Sequence, residues 1–104
     1  MASVRWTVGA RHDLQEIVLF IASDSPTYAA ATAERIVGAV ERLQRLPKLG
    51  RTVPEYEDTQ IRELLVGNYR IVYRVQATRV GILAIVHGSR ELLRRTSRER
   101  WNLV

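Results

Sequence analysis

The spacing of apolar residues changes once along this chain, and that change constrains the fold more than any other feature. Up to residue 46 the apolar side chains recur with the period of a helix; from Ile61 onward they alternate with a period of two, as in strands. In the first half Leu14, Ile17, Val18 and Ile21 fall at i, i+3, i+4 and i+7, while Arg11, Asp13, Gln15 and Glu16 occupy the other positions. The spacing predicts an amphipathic helix with Thr7 as its N-cap, preceded by a first strand over Ser3 to Trp6. Asp24-Ser25-Pro26 then breaks the chain. Ser25 suits an N-cap and Pro26 suits the first helical position. A second helix follows, in which Ala33, Ile36, Val37, Val40, Leu43 and Leu46 keep helical spacing until Pro47. Two such helices joined by a short turn form an antiparallel hairpin, and each must bury its apolar stripe.

Lys48 to Gln60 reads as loop, with Gly50, Pro54 and the acidic cluster Glu55, Glu57 and Asp58. Three strands are expected after it, Ile61–Val66, Tyr69–Gln76 and Val80–His87. Gly67-Asn68 is a two-residue hairpin turn, and Ala77-Thr78-Arg79 turns the chain again. In the middle strand Tyr69, Ile71, Tyr73 and Val75 share one face; Arg70, Val72, Arg74 and Gln76 share the other. The last strand is apolar on both faces, Ile82/Ala84/Val86 and Leu83/Ile85, which places it centrally. The expected fold is α+β, in the order β-α-α-β-β-β, with the helical hairpin packed on a mostly antiparallel sheet. The 104 residues leave room for one domain, 1–104, of which 88–104 form a basic C-terminal tail. Within that tail Ser89 is placed to cap a short helix carrying Leu92 and Leu93, and Trp101 and Leu103 are candidates for a docking patch.

Composition removes several classes of function. Without cysteine there is no disulfide and no thiolate zinc site. No apolar run approaches the roughly 20 residues that cross a bilayer, and Met1 to Arg11 lacks a secretory signal, so the expected location is the cytoplasm. Of 16 basic residues all but Lys48 are arginine, and they are unevenly placed. Residues 51–104 carry ten basic and six acidic side chains, and from Thr59 onward the count is nine against three. That half projects a positive field toward an acidic partner. A GC-rich genome also enriches arginine, so the composition alone does not identify the partner.

Most catalytic signatures are missing. There is no Gly-rich phosphate loop, no H-E-x-x-H and no serine in a nucleophile elbow. His12 and His87 are far apart in sequence with no carboxylates arranged around them, so no metal ion or cofactor is expected. What remains is a set of polar residues on strands: Arg62, Arg70 and Arg74, with His87 and Arg90 at the end of the last strand. Such a group can hold a phosphodiester, stabilise charge on phosphorus and protonate a leaving oxygen, as metal-free ribonucleases do. Glu55 could act as base if its loop folds back over the sheet; Arg62 and Glu63 should point to opposite faces. The simpler reading is that these arginines are solvated, in ion pairs worth about 0–1 kcal/mol each.

Several runs together resemble the RelE/ParE toxin family of bacterial toxin–antitoxin systems. They are Trp6-Thr7 with Asp13-Leu14 and Ile17, Leu46-Pro47 with Gly50-Arg51, Arg62-Glu63-Leu64, Val66 to Val75, Ile82-Leu83, and Val86-His87-Gly88-Ser89-Arg90. The resemblance covers about residues 3–95, and the family fold has the same β-α-α-β-β-β order. It implies a cytoplasmic toxin, a plasmid-stabilisation function, and a cognate antitoxin whose acidic-apolar segment wraps the toxin; direct DNA binding by this chain is not implied. RelE-like members cleave messenger RNA on the ribosome with strand arginines, matched here by Arg70 and Arg90. The lysines they use before that arginine, and a tyrosine soon after the last strand, are absent. Glu55, Arg70 and His87 imitate the set used by YoeB-like members. ParE-like members inhibit DNA gyrase, and the long second helix, the Val-Gly-Asn-Tyr-Arg run and the basic tail resemble that branch more. The resemblance therefore implies a gyrase inhibitor, with a ribosome-dependent mRNA endonuclease or a non-toxic interaction module as alternatives. Candidates for a nuclease are Arg62, Arg70, His87 and Arg90. Candidates for contact with target or antitoxin are Arg74, Arg90, Leu92, Leu93, Arg94, Arg95 and Trp101.

Overall fold

The computed structural model describes residues 1–88. The expected tail helix, with Arg90, Leu92, Leu93, Arg94, Arg95, Trp101 and Leu103, lies outside them. The order observed is β1 (Ser3–Trp6), α1 (Val8–Ala22), α2 (Pro26–Arg42), β2 (Arg51–Thr52), β3 (Ile61–Val66), β4 (Tyr69–Gln76) and β5 (Arg79–His87). Thr7 and Ser25 cap the two helices, accepting from the backbone N–H groups of Ala10 and Tyr28 at 3.1 Å each. The five strands form one sheet in the order β1-β5-β4-β3-β2. Every neighbouring pair is antiparallel except β1 and β5, which run parallel. The last strand is therefore internal, as its two apolar faces require.

Three details depart from the sequence reading. The segment expected as continuous loop contributes β2, two residues that pair Arg51 with Glu63 and Thr52 with Arg62. The second helix stops at Arg42 rather than near Leu46: Gln44 N–H and Arg45 N–H reach only three residues back, to Glu41 and Arg42. The Gln44 carbonyl instead accepts from Ala2 N–H at 2.8 Å, tying this turn to the chain's start. The third departure is in β5. Val72 pairs with Ala84 but Tyr73 pairs with Ile82, so Leu83 is an extra, bulged residue. Simple alternation fails there. Ile82 and Ile85 face the helices, while Leu83, Ala84 and Val86 face away.

Two side chains from the start of α1 hold the bulge. The Thr7 hydroxyl donates to the Ile82 carbonyl at 2.7 Å. The Asp13 carboxylate, on a residue only 2% exposed, accepts from Ile85 N–H at 3.0 Å. The helix stripe predicted from Leu14, Ile17, Val18 and Ile21 is accordingly only half-buried, and the buried positions of α1 are Ala10 and Asp13. Bringing Asp13 to the sheet turns the helix away from its purely apolar orientation.

Each face of the sheet has its own core. Ala10, Ile36, Ala39, Val40 and Leu43 from the helices meet Ile71, Tyr73, Val75, Val80, Ile82 and Ile85. On the other face Val53, Ile61, Val72, Leu83, Ala84 and Val86 pack together beneath Tyr56. Each fully buried Ile, Leu or Val here contributes roughly 1.5–3 kcal/mol relative to exposure. Asp13→Ala leaves Ile85 N–H inside the structure without that acceptor. We expect a loss of about 1–3 kcal/mol in chemical denaturation, and a smaller loss for Asp13→Asn, whose amide oxygen still accepts.

Candidate functional site

The site begins with the path of the chain after α2. Gly50 donates its N–H to the Tyr73 hydroxyl at 2.8 Å. A Cβ at that position would collide with the Glu63 carbonyl and the Tyr73 hydroxyl, so only glycine lets the segment pass this close to the sheet. From there Val53 is sunk into the second core, 1% exposed, and carries Pro54 and Glu55 across the face opposite the helices. The loop does fold back over the sheet.

Beneath it, alternation along β3 and β4 aims Glu63 and Arg70 at the same face. The Arg70 guanidinium donates from Nε to Glu63 Oε1 at 2.5 Å, and from its two terminal nitrogens to both oxygens of Glu55 at 2.8 Å each. Arg51 Nε donates to the remaining Glu63 oxygen at 2.7 Å. The cluster is graded from inside to outside. Side-chain exposure is 0% for Glu63, 7% for Arg70, 30% for Glu55 and 60% for Arg51. The hydrogen-bonded Arg70 guanidinium holds the Glu55 carboxyl below its ordinary range, against the opposing effect of burial. The same Glu55 bonds, together with those from Glu63, push the Arg70 guanidinium further toward its charged form.

A cavity of ≈ 540 Å³ opens beside this cluster and brings Arg51, Glu55, Arg70 and His87 to one place. His87 meets Tyr69 edge-on, with ring centroids 5.3 Å apart, and Gly88 N–H closes the strand end on the Asn68 carbonyl at 2.7 Å. The other strand arginines are elsewhere. Arg62 lies opposite Tyr73, on the helix-bearing face, and donates to the Gly50 carbonyl at 2.8 Å. Arg74 shares the face of Arg70, with a terminal nitrogen 3.8 Å from Asp58. Arg62 and Arg70 are thus not brought together, and Arg90 lies outside the described residues.

Glu63 and Arg51 belong to the cluster without having been singled out as functional in the sequence. The available signal was their period: Ile61 and Glu63 share a strand face with Leu65, which lies opposite Arg70. Among the described residues no three His, Asp or Glu side chains converge to hold a metal ion, and no helix is long and apolar enough to cross a membrane. A second, apolar groove of ≈ 450 Å³ runs along α1, lined by Trp6, Leu14, Val18, Leu19 and Val37. Near it, α1 leaves Leu19 64% and Phe20 80% exposed.

A helical hairpin packed on one face of a five-stranded, mostly antiparallel sheet is the architecture of a RelE/ParE-like toxin domain; here a loop is clamped over the other face by the buried Arg70. Sequence comparison narrows this. The model of the ParE toxin of the type II toxin–antitoxin system parDE matches residues 4–92, and the chain belongs to that family. Y4kP of Sinorhizobium fredii, described as a candidate toxin, is 36% identical over 90 residues, 85% of this chain and 90% of its own length. The chromosomal ParDE toxin–antitoxin system of P. aeruginosa is similar in structure, with a TM-score of 0.70 and 27% identity over 86% of this chain and 98% of the other. The RelBE2 toxin–antitoxin complex of Mycobacterium tuberculosis gives 0.57 and 30%, over 83% of this chain and 96% of the other.

Removing Arg70 leaves Glu63 buried with only Arg51 to compensate it. Arg70→Ala is expected to lose about 3–5 kcal/mol of stability in chemical denaturation, a structural penalty that any activity assay must be read against. The Glu55–Arg70 pair also sets a pH window. A carboxyl held below its ordinary value of 4.5 stabilises the fold above that value, and the contribution is lost as pH falls through the lowered one. The melting-temperature difference between the natural chain and Glu55→Gln should be full at about pH 7 and shrink as pH falls below the ordinary carboxyl value of 4.5.

Proposed function

We propose that this chain is the cytoplasmic toxin of a type II pair, a single domain silenced by a cognate antitoxin, and that once released it inhibits DNA gyrase by binding rather than by cutting RNA. One observation carries the binding reading: the Nε and both terminal nitrogens of Arg70 each already donate to a carboxylate. A phosphodiester has no open fork there, and Arg62 is on the other face of the sheet. Membership of the ParE family supports gyrase as the target and an antitoxin as the partner. The exposed apolar groove along α1 supports a protein partner as well, since patches of this kind on small soluble domains mark interaction surfaces. Arg74 and the tail residues Arg90, Leu92, Leu93, Arg94, Arg95 and Trp101 remain our candidates for contact with target or antitoxin.

A second reading, ribosome-dependent cleavage of messenger RNA, is favoured by one specific observation. The cavity gathers Glu55, Arg70 and His87, a carboxylate, a cation and an imidazole of the kind that acid–base cleavage of a phosphodiester uses. The likeness to RelBE2 points the same way.

Pulse-labelling after induction of this chain alone in a bacterium separates the two. We expect DNA synthesis to fall first, with gyrase-linked DNA breaks, and co-expression of the antitoxin to prevent it. Collapse of protein synthesis before DNA synthesis would replace the gyrase reading with the ribonuclease one, and unaffected growth would leave an interaction module.

A further inference from the structure

Arg51, Arg70 and Arg74 each have a carboxylate partner, whereas Arg35 has none among the described residues. On α2, Tyr28, Thr32 and Arg35 fall at i, i+4 and i+7 and share one stripe of the helix. That stripe meets the Gly67-Asn68 turn between β3 and β4, where a smaller cavity of ≈ 200 Å³ forms. Its polar lining is Tyr28, Thr32, Arg35, Asn68 and Tyr69, and none of its lining residues is acidic. Among the described residues, none of these five side chains makes a hydrogen bond or an ion pair. Thr32 is only 6% exposed, and a hydroxyl so deeply placed ordinarily has a partner. The Arg35 guanidinium lies over the turn, its terminal nitrogens 3.5 and 3.6 Å from where a side chain on Gly67 would begin. Burial pushes the Tyr69 phenol up, and the nearby Tyr28 adds in the same direction, so Tyr69 stays protonated and able to donate at neutral pH.

We propose that this cavity binds the phosphate group of a small phosphate monoester. Arg35 supplies the charge and a planar fork of donors. The hydroxyls of Tyr28, Thr32 and Tyr69 and the amide of Asn68 supply further donors. A cation does not suit a wall that carries an arginine and no carboxylate. Among anions, a carboxylate is satisfied in one plane by a single guanidinium. Here the donors come from a helix, a turn and a strand, an arrangement that suits an anion with oxygens in three directions. Ile21 and Val66 make the apolar part of the wall. Tyr28 lines the cavity while 59% exposed, so its ring is available to the organic part of the ligand. The site shares Gly67, Asn68 and Tyr69 with the larger cavity but none of that cavity's carboxylates. The arginine here is therefore open where Arg70 is already occupied.

The test uses the purified full chain and involves neither gyrase nor growth arrest. AMP is titrated while the backbone N–H signals of Gly67, Asn68 and Tyr69 are followed by NMR, with inorganic phosphate, adenosine and acetate titrated in parallel. AMP should bind saturably and more tightly than phosphate, and adenosine and acetate should leave these signals in place. Arg35→Gln should weaken AMP about tenfold, and Tyr28→Phe, which removes one hydroxyl from an exposed residue, about threefold. Arg42→Gln makes the same change of charge two turns further along α2 and should not alter the affinity. Absence of a saturable shift with AMP overturns the proposal. So does phosphate binding as tight as that of AMP, binding of acetate or adenosine with similar affinity, or an equal loss from Arg35→Gln and Arg42→Gln. Arg35 and Arg42 are both exposed, and melting curves establish that each variant is folded. If Arg35→Gln is not, Arg35→Lys, which keeps the charge and loses the fork, takes its place, and full retention of affinity by that variant overturns the proposal equally.

Discussion

The hydrogen bonds that Thr7 and Asp13 make to β5 settle the most irregular point of the sheet, and much else follows from them. A bulge removes backbone groups from the ladder, and inside a protein those groups must find other partners. Here the partners come from the other end of the chain, since Thr7 and Ile82 are 75 residues apart in sequence. Once the bulge at Leu83 is held, the strand's faces are redistributed. Leu83, Ala84 and Val86 form a second apolar floor away from the helices. That floor gives Val53 something to sink into, and Val53 in turn brings Glu55 over Arg70. The charged cluster therefore depends on a backbone irregularity in β5, the strand next to the one that carries Arg70.

The cluster is better understood as a fastener than as a source of net stability. Removing Glu63 and Arg70 from water is costly, and well-packed apolar residues often do as well in such positions. What the charges add is direction. A guanidinium accepts its carboxylates only along its own plane, so Arg70 fixes where the loop lies as well as the fact that it lies there. In the same geometry Glu55 occupies the outer edge of the guanidinium with both of its oxygens.

Much of this was legible in the sequence. The change of period gave the order of elements, Thr7 and Ser25 gave the helix starts, and the doubly apolar Val80–His87 gave an internal strand. Period reasoning failed where a polar side chain overrode it. Asp13 looked like a solvent-facing residue because it is charged, yet it is among the most deeply buried residues of α1. The alternation of β5 could not announce a bulge, because both faces of that strand are apolar and a shift of register changes no polarity. For the site, Arg70, Glu55 and His87 could be named from residue type and motif. Glu63 could not, since a carboxylate inside a sheet is legible only once its two arginines are placed around it. Arg62 and Arg70 both looked like strand arginines, and only the register separates them onto opposite faces.

The parallel pairing of β1 with β5 has a consequence for how this protein comes into being. Val4 and its partner Val80 are separated in the chain by both helices and three further strands. The sheet's first strand, the α1 clamp and the bulge it holds must all wait for that late arrival. Local helices can form early, but the face that organises the charged cluster cannot. A sheet built in this way stays open until β5 is made, and the surface matures only when that strand slots between two others already waiting for it.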